Sequence, residues 1–183
     1  MGLAFGGMFA FITASPFVYM EYFGVSPTGY AWLFGLNVAG IIVMTLINAR
    51  WVSRAGPLRM LAVGAGLAGV AALWLLTAGL TDWGGLAVIV VGVVVYVSVT
   101  GLLGANCVAS LLALYPRQAG AAAGLAVACQ FALGAAFSAV VSALADGTPE
   151  PMCLTLAAAG FGCLLCYAAI ARRARAQAVS QTA

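Results

Sequence analysis

Residues 57–80 read PLRMLAVGAGLAGVAALWLLTAGL, and two incompatible folds can be read from them. Inside the stretch, residues 63–69 (VGAGLAG) place Gly64, Gly66 and Gly69 at the G-x-G-x-x-G spacing of a dinucleotide-binding turn. The run from Leu58 to Val63 passes for the preceding strand, and Asp82 lies about where an acid meets the ribose. That turn, however, needs strand, glycine turn, helix and then a second strand ending in the acid. Here Pro57 to Leu80 is one unbroken apolar run of spanning length, and no second strand precedes Asp82. A water-borne cofactor would have to reach a motif lying in hydrocarbon. The glycines read instead as small residues that let one membrane helix approach another closely, as does the G-x-x-x-G of Gly120 and Gly124.

The rest of the chain follows that choice. Of 183 residues, 65% are hydrophobic and 6% charged, against roughly 25% charged in ordinary soluble domains. Mean hydropathy is +1.14. So few charges cannot cover a water-facing surface, so lipid must solvate most of it. The hydrocarbon core is roughly 30 Å thick and takes about 20 apolar residues to cross. Six such stretches stand out, at about 2–20, 29–49, 58–80, 84–112, 119–145 and 151–171, with a tail at 172–183. Membrane barrels would show short alternating segments rather than continuous runs. The expected fold is therefore all-α, with six transmembrane helices.

Several chemistries are excluded by residue type. There is no histidine and no lysine, so Ser-His and Cys-His catalytic pairs and His-containing metal sites cannot be built. Five cysteines (Cys107, Cys129, Cys153, Cys163, Cys166) all fall in apolar segments, where free cysteine behaves as a small hydrophobe. No enzyme, cofactor or metal reading finds support. The net charge of +3 does not form a basic stripe with interleaved aromatics, so nucleic acid is not an expected partner.

The charges give orientation. Arg50, Arg54 and Arg59 flank the second loop, Arg117 the fourth, and Arg172, Arg173 and Arg175 follow the last span. Glu21, Asp82, Asp146 and Glu150 occupy the other loops. Arginine-rich loops stay cytoplasmic, which puts both termini inside a bacterial inner membrane. Ser26-Pro27 reads as cap and first residue of the second helix, and Thr148-Pro149 as the same pair before the sixth. Gly56-Pro57 ends one helix and opens the next. Pro16 should kink or loosen the first helix. That helix starts directly at Met1 without a basic flank, which reads as a span trimmed at its cytoplasmic end rather than as a signal peptide.

Four stretches carry a family resemblance: FAFITASPFVYMEYFGVSP (9–27), WLFGLNVAG (32–40), LINARWVSRAG (46–56) and RQAGAAAGLAVACQFALGA (117–135). Together they resemble the bicyclomycin/chloramphenicol-resistance drug:proton antiporters of the major facilitator superfamily, over helices 7 to 12 only. The resemblance implies half of a twelve-helix fold, built of two inverted three-helix repeats. It further implies export of small amphipathic drugs by alternating access, with an N-terminal six-helix half as obligatory partner. The loop Ala49–Arg59 resembles a decayed copy of the superfamily's G-x-x-x-D-R-x-G-R gating loop. Arg54 and Gly56 match it, while Ala49 and Ser53 stand where glycine and acid would be. The family's antiporter signature belongs to helix 5, which this chain does not contain.

Polar groups at membrane depth are costly, so each raises a functional question. Phe9, Asn37, Asn106 and Gln130 are the candidates for a drug pathway, with interhelical hydrogen bonding and packing as the competing role. Ser98 and Ser110 share a face with Asn106, and Ser138 and Ser142 follow Gln130 on its helix. No acid lies at membrane depth. If the transporter couples to protons, the carboxylate must belong to the other half. The competing reading is a stand-alone six-helix membrane protein acting as an assembly or interaction partner, possible as a homodimer.

Overall fold

The computed structural model describes residues 1–81 and 83–181, with side chains described up to residue 173. Asp82, and with it the acid of the dinucleotide reading, lies outside the described residues, as does the side chain of Arg175. Among the described residues there are six α-helices: α1 (Gly2–Pro16), α2 (Pro27–Ala55), α3 (Pro57–Thr81), α4 (Gly85–Leu114), α5 (Ala119–Ala143) and α6 (Glu150–Gln181). All six are long and apolar enough to cross a membrane, α1 together with the π turn that follows it. The chain is a multi-pass membrane protein.

Local chemistry sets most boundaries. Ser26 Oγ accepts from the Gly29 N–H (3.2 Å) and Pro27 opens α2. The helix then runs past residue 49 through Arg50–Ala55, because nothing stops it before Gly56. Gly56 adopts φ +81°, a left-handed value that a side chain disfavours, and Pro57 starts α3. The sixth helix corrects one expectation. It opens at Glu150, one residue later than the Thr148-Pro149 reading, with Thr148 Oγ1 accepting from the Glu150 N–H (3.3 Å). Its helix also runs on past the expected span of about 151–171 into the tail, to Gln181, since the Arg- and Ala-rich segment there favours helix without needing lipid. Asp146 Oδ1 accepts from the Thr148 hydroxyl and N–H, and these bonds hold its carboxyl below the usual range.

Pro16 is the last residue of α1. It cannot donate to the preceding turn, and the chain widens directly after it into a π turn over Phe17–Tyr22. Phe23 N–H donates to the Val18 carbonyl (3.2 Å), one residue further back than α-helical pairing.

The packing has an internal symmetry. α1 packs on α5 and α6, and α4 packs on α2 and α3, while α3 and α6 pack on each other. Exchanging the first three helices with the last three reproduces this pattern. It is the arrangement of two interleaved three-helix repeats. Its close approaches run through small residues. A Cβ at Gly160 of α6 would sit 2.7 Å from the Ala68 carbonyl oxygen and 2.7 Å from Ala72 Cβ of α3. Gly64 abuts Leu102 and Leu103 of α4, and Gly69 abuts Leu164 of α6. Gly66, Gly120 and Gly124 have open space where a side chain would go. Their assignment to helix packing is therefore corrected within this chain: 100° per residue turns them away from the faces that α3 and α5 present to their neighbours.

This contrast is testable. Gly160→Leu forces α3 and α6 apart and should cost about 1–3 kcal/mol or more, as overpacking does. Gly66→Leu should leave the midpoint of thermal unfolding in detergent nearly unchanged. Equal losses for the two variants would contradict the packing described.

Candidate functional site

The two outer helices decide where a site can be. Only 6% of the spanning window of α2 is buried and 11% of that of α5, against 61% for α4. Each lies against the bundle along one narrow seam, α2 on α4 and α5 on α1. The sequence-predicted residues divide between these seams and do not converge on one cavity.

In the α2–α4 seam the fully buried residues of α2 are Asn37 and Asn48. Asn106 is 1% exposed. Its Nδ2 donates to Asn48 Oδ1 (2.7 Å) and to the Leu102 carbonyl (2.8 Å). Asn106 thus ties two helices together, and in this conformation it does not face an open pathway. Between the asparagine pair and Asn37, Gly40 packs on Ser98, and Gly101 receives Thr45 and Ile41. Asn37 is 2% exposed. Its Nδ2 donates to the Leu33 carbonyl one turn back (2.9 Å), while its Oδ1 is buried without a partner. One turn away, Phe34 stacks on Phe11 of α1 at 6.2 Å and 16°. Nearby, Ser15 Oγ and Tyr30 Oη lie within 3.1 Å.

The α1–α5 seam is the counterpart. Thr13 Oγ1 lies 2.9 Å from both Ser138 Oγ and the Phe9 carbonyl. The Phe9 ring covers Gly134 and meets Phe131 edge-on at 5.7 Å and 78°. Gln130, half-buried, precedes Phe131 on α5. Phe9 thus packs in this seam with Phe131 exposed beside it, and Gln130 lies one turn before Gly134 on the same helix. Asn48 and the Thr13–Ser138 pair were not picked out from sequence. Asn48 lies 11 residues after Asn37, three helical turns on the same face, and that spacing was the available signal.

The charged groups stay at the ends. Glu21 and Asp146 are exposed, Glu150 is half-buried at the start of α6, and Arg50, Arg54, Arg59 and Arg117 are exposed. Arg54 lies in the last turn of α2, where a cation suits the helix dipole, one step before the Gly56 turn. Among the described residues, no three His, Cys, Asp or Glu side chains gather closely enough to hold a metal ion. The arrangement offers apolar and aromatic surface, amides and hydroxyls, and among the described residues its carboxylates lie at or between helix ends.

Comparison with known proteins matches this description. A curated relative named bicyclomycin resistance protein homolog, from Haemophilus influenzae, is 30% identical over 164 residues, which is 90% of this chain and 41% of the relative. The chain is a homologue of major facilitator transporters. A second relative, the uncharacterized MFS-type transporter YdgK of Bacillus subtilis, is 29% identical over 152 residues, 83% of this chain and 37% of its own length. The chain thus spans about two fifths of the length of these relatives. No family model matches it, and no solved structure does.

The Asn48–Asn106 bond invites a double-mutant cycle. Asn48→Leu and Asn106→Leu should each destabilise the bundle, with a coupling of about 0.6–2 kcal/mol measured by unfolding in detergent. Asn37→Leu should cost less, because one of its buried polar atoms is already unpaired. Strictly additive losses for the first two would show that the bond carries nothing.

Proposed function

We propose that the chain is the C-terminal six-helix half of a proton-coupled multidrug exporter of the bacterial inner membrane, with both termini cytoplasmic. The observation that carries this reading is the extent of the match. Nine tenths of the chain align with a protein named for bicyclomycin resistance, and they account for 41% of that protein. The uncovered faces of α2 and α5 support it, because they flank the bundle as surfaces that a second bundle would close. Alternating access by rocking of two bundles then places the drug between them. Phe9, Phe131 and Gln130 would meet it from the α1–α5 seam, and Asn37 would act from the α2–α4 seam. Arg54 and Gly56 would serve the loop that closes the cytoplasmic side. The proton-binding carboxylate belongs to the other half, since the described acids, Glu21, Asp146 and Glu150, lie at or between helix ends.

The test is complementation. Expressed alone in a drug-sensitive bacterium, the chain should enter the inner membrane and confer no resistance. Co-expressed with an N-terminal six-helix half from a bicyclomycin-resistance relative, it should raise the tolerated concentration of bicyclomycin or chloramphenicol. Proton-driven drug efflux by the chain alone in proteoliposomes would overturn the reading and favour a self-sufficient homodimer. In the complemented pair, Gln130→Ala should shift the drug spectrum at unchanged protein level. Equal loss of abundance and of all transport would assign Gln130 to packing.

A further inference from the structure

A pocket of 260 Å³ lies where α1, α5 and α6 meet at the end of the bundle that carries Asp146 and Glu150. Phe17 and Val18 line it from the π turn, Val141 and Ser142 from α5, and Thr148 and Met152 from the loop and first turn of α6. Its volume lies just below the roughly 300–1,000 Å³ of drug-sized sites, so it suits a body of about one ring. The walls are mostly apolar, and their polar side chains are the hydroxyls of Thr13, Ser142 and Thr148. Along α1 and α5, the Thr13–Ser138 contact (2.9 Å) separates the pocket from the Phe9–Phe131 pair.

Among the described residues, the charged groups bordering this pocket are carboxylates. Asp146 Oδ1 accepts from the hydroxyl of Thr148 in the wall (2.7 Å). Glu150 directly precedes Pro151, another wall residue, and Glu21 belongs to the π turn that supplies Phe17 and Val18. α5 ends at Ala143, so the negative end of its dipole also meets this wall. The first turn of α6 has the opposite sign, but its donors are already engaged. Thr148 Oγ1 takes the Glu150 N–H, Pro151 has no N–H, and the Cys153 N–H donates to the Pro149 carbonyl (3.1 Å). Arg117 lies beyond the far end of α5, whose 25 residues span about 37 Å.

We propose that this pocket binds an amphipathic organic cation, a quaternary ammonium or protonated amine carried on a small apolar body. The body fills the space between Val18, Val141 and Met152, and the charged end lies toward Asp146 and Glu150. Phe17 adds an aromatic ring to the wall, which attracts a cation more than an alkyl side chain does. An anion is repelled by the same carboxylates, and a neutral body gains nothing from them. The two bonds from Thr148 hold the Asp146 carboxyl below its usual range, so it stays ionised as a partner. Every wall residue belongs to this chain, so the inference does not rest on the transporter reading.

Equilibrium binding of benzyltrimethylammonium to the purified chain in dodecyl maltoside, with empty micelles subtracted, tests this. Saturable binding at a single site is expected. Neopentylbenzene, the same shape with carbon in place of nitrogen, should compete at least about fivefold more weakly once its uptake by micelles is corrected for. Asp146→Asn preserves an acceptor for Thr148 but removes the charge, and should weaken binding about fivefold, the upper range for an exposed ion pair. Glu150→Gln should act in the same direction, and Arg117→Gln at the far end should change nothing. Ala145→Trp, which fills the pocket from the loop, should abolish binding without moving the thermal midpoint. Equal affinity for the neutral compound overturns the proposal and leaves an apolar seat only. So does cation binding that survives both Asp146→Asn and Ala145→Trp. A phospholipid that co-purifies with the chain and blocks the probe overturns it in favour of lipid. Loss of this inference leaves the complementation test untouched, and cation binding by a chain that fails complementation supports it alone.

Discussion

Helices in hydrocarbon gain little by burying apolar area against one another, because the lipid they leave is as apolar as the neighbour they meet. Close contact is what holds such a bundle, and close contact needs residues without bulk. Gly160 against the Ala68 carbonyl shows the limit: at 2.7 Å from a future Cβ, the α3 backbone leaves room for hydrogen only. The same device recurs where Gly64 receives Leu102 and Leu103, and where Gly7 receives Tyr96. Tyr96, buried at 1% exposure, then donates its hydroxyl to the Ala4 carbonyl of α1 (3.2 Å). Four helices, α1, α3, α4 and α6, are locked by these approaches into a body with its own core.

The outer helices are held on a different principle. α2 and α5 present few buried residues, and polar contacts mark their seams: Asn48 with Asn106, Ser98 against Gly40, Thr13 with Ser138. A hydrogen bond between side chains in lipid has a fixed geometry and no competing water, so it sets the register of two helices even where its energy is modest. Two locked pairs and two pinned flanks make a bundle rigid inside and adhesive at its sides. That division suits a body that moves against another body.

The six spans and their order were legible because length and hydropathy survive without any structure. The Ser26 cap and the Gly56 turn were legible for a similar reason, as both depend on the chemistry of single residues. Which glycine faces a neighbour was not. A helix apolar on every side carries no amphipathic signal, so Gly66 and Gly69 look alike in sequence and only the fold separates them. The role of Asn106 was half legible: its cost in lipid flagged it, but its partner Asn48 sits 58 positions away on another helix. The extra turns of α6 escaped notice because hydropathy marks where lipid ends and not where a helix does.

The two-fold relation also shows where the bundle is built to yield. α1 and α4 occupy equivalent places, and α4 runs from Gly85 to Leu114 without proline or π turn. α1 breaks at Pro16 and continues as a π turn through Tyr22. A proline removes one backbone bond and a π turn shifts the next ones by a residue, so the helix there resists bending less than its counterpart. The Ser15–Tyr30 contact and the rings of Phe11, Tyr19 and Phe34 hold this segment against α2. At the Glu21 end, α1 and the first turns of α2 therefore share one aromatic cluster. At the opposite end of α2 the asparagine pair ties it to α4, so the two ends of α2 are held by different neighbours and by different chemistry.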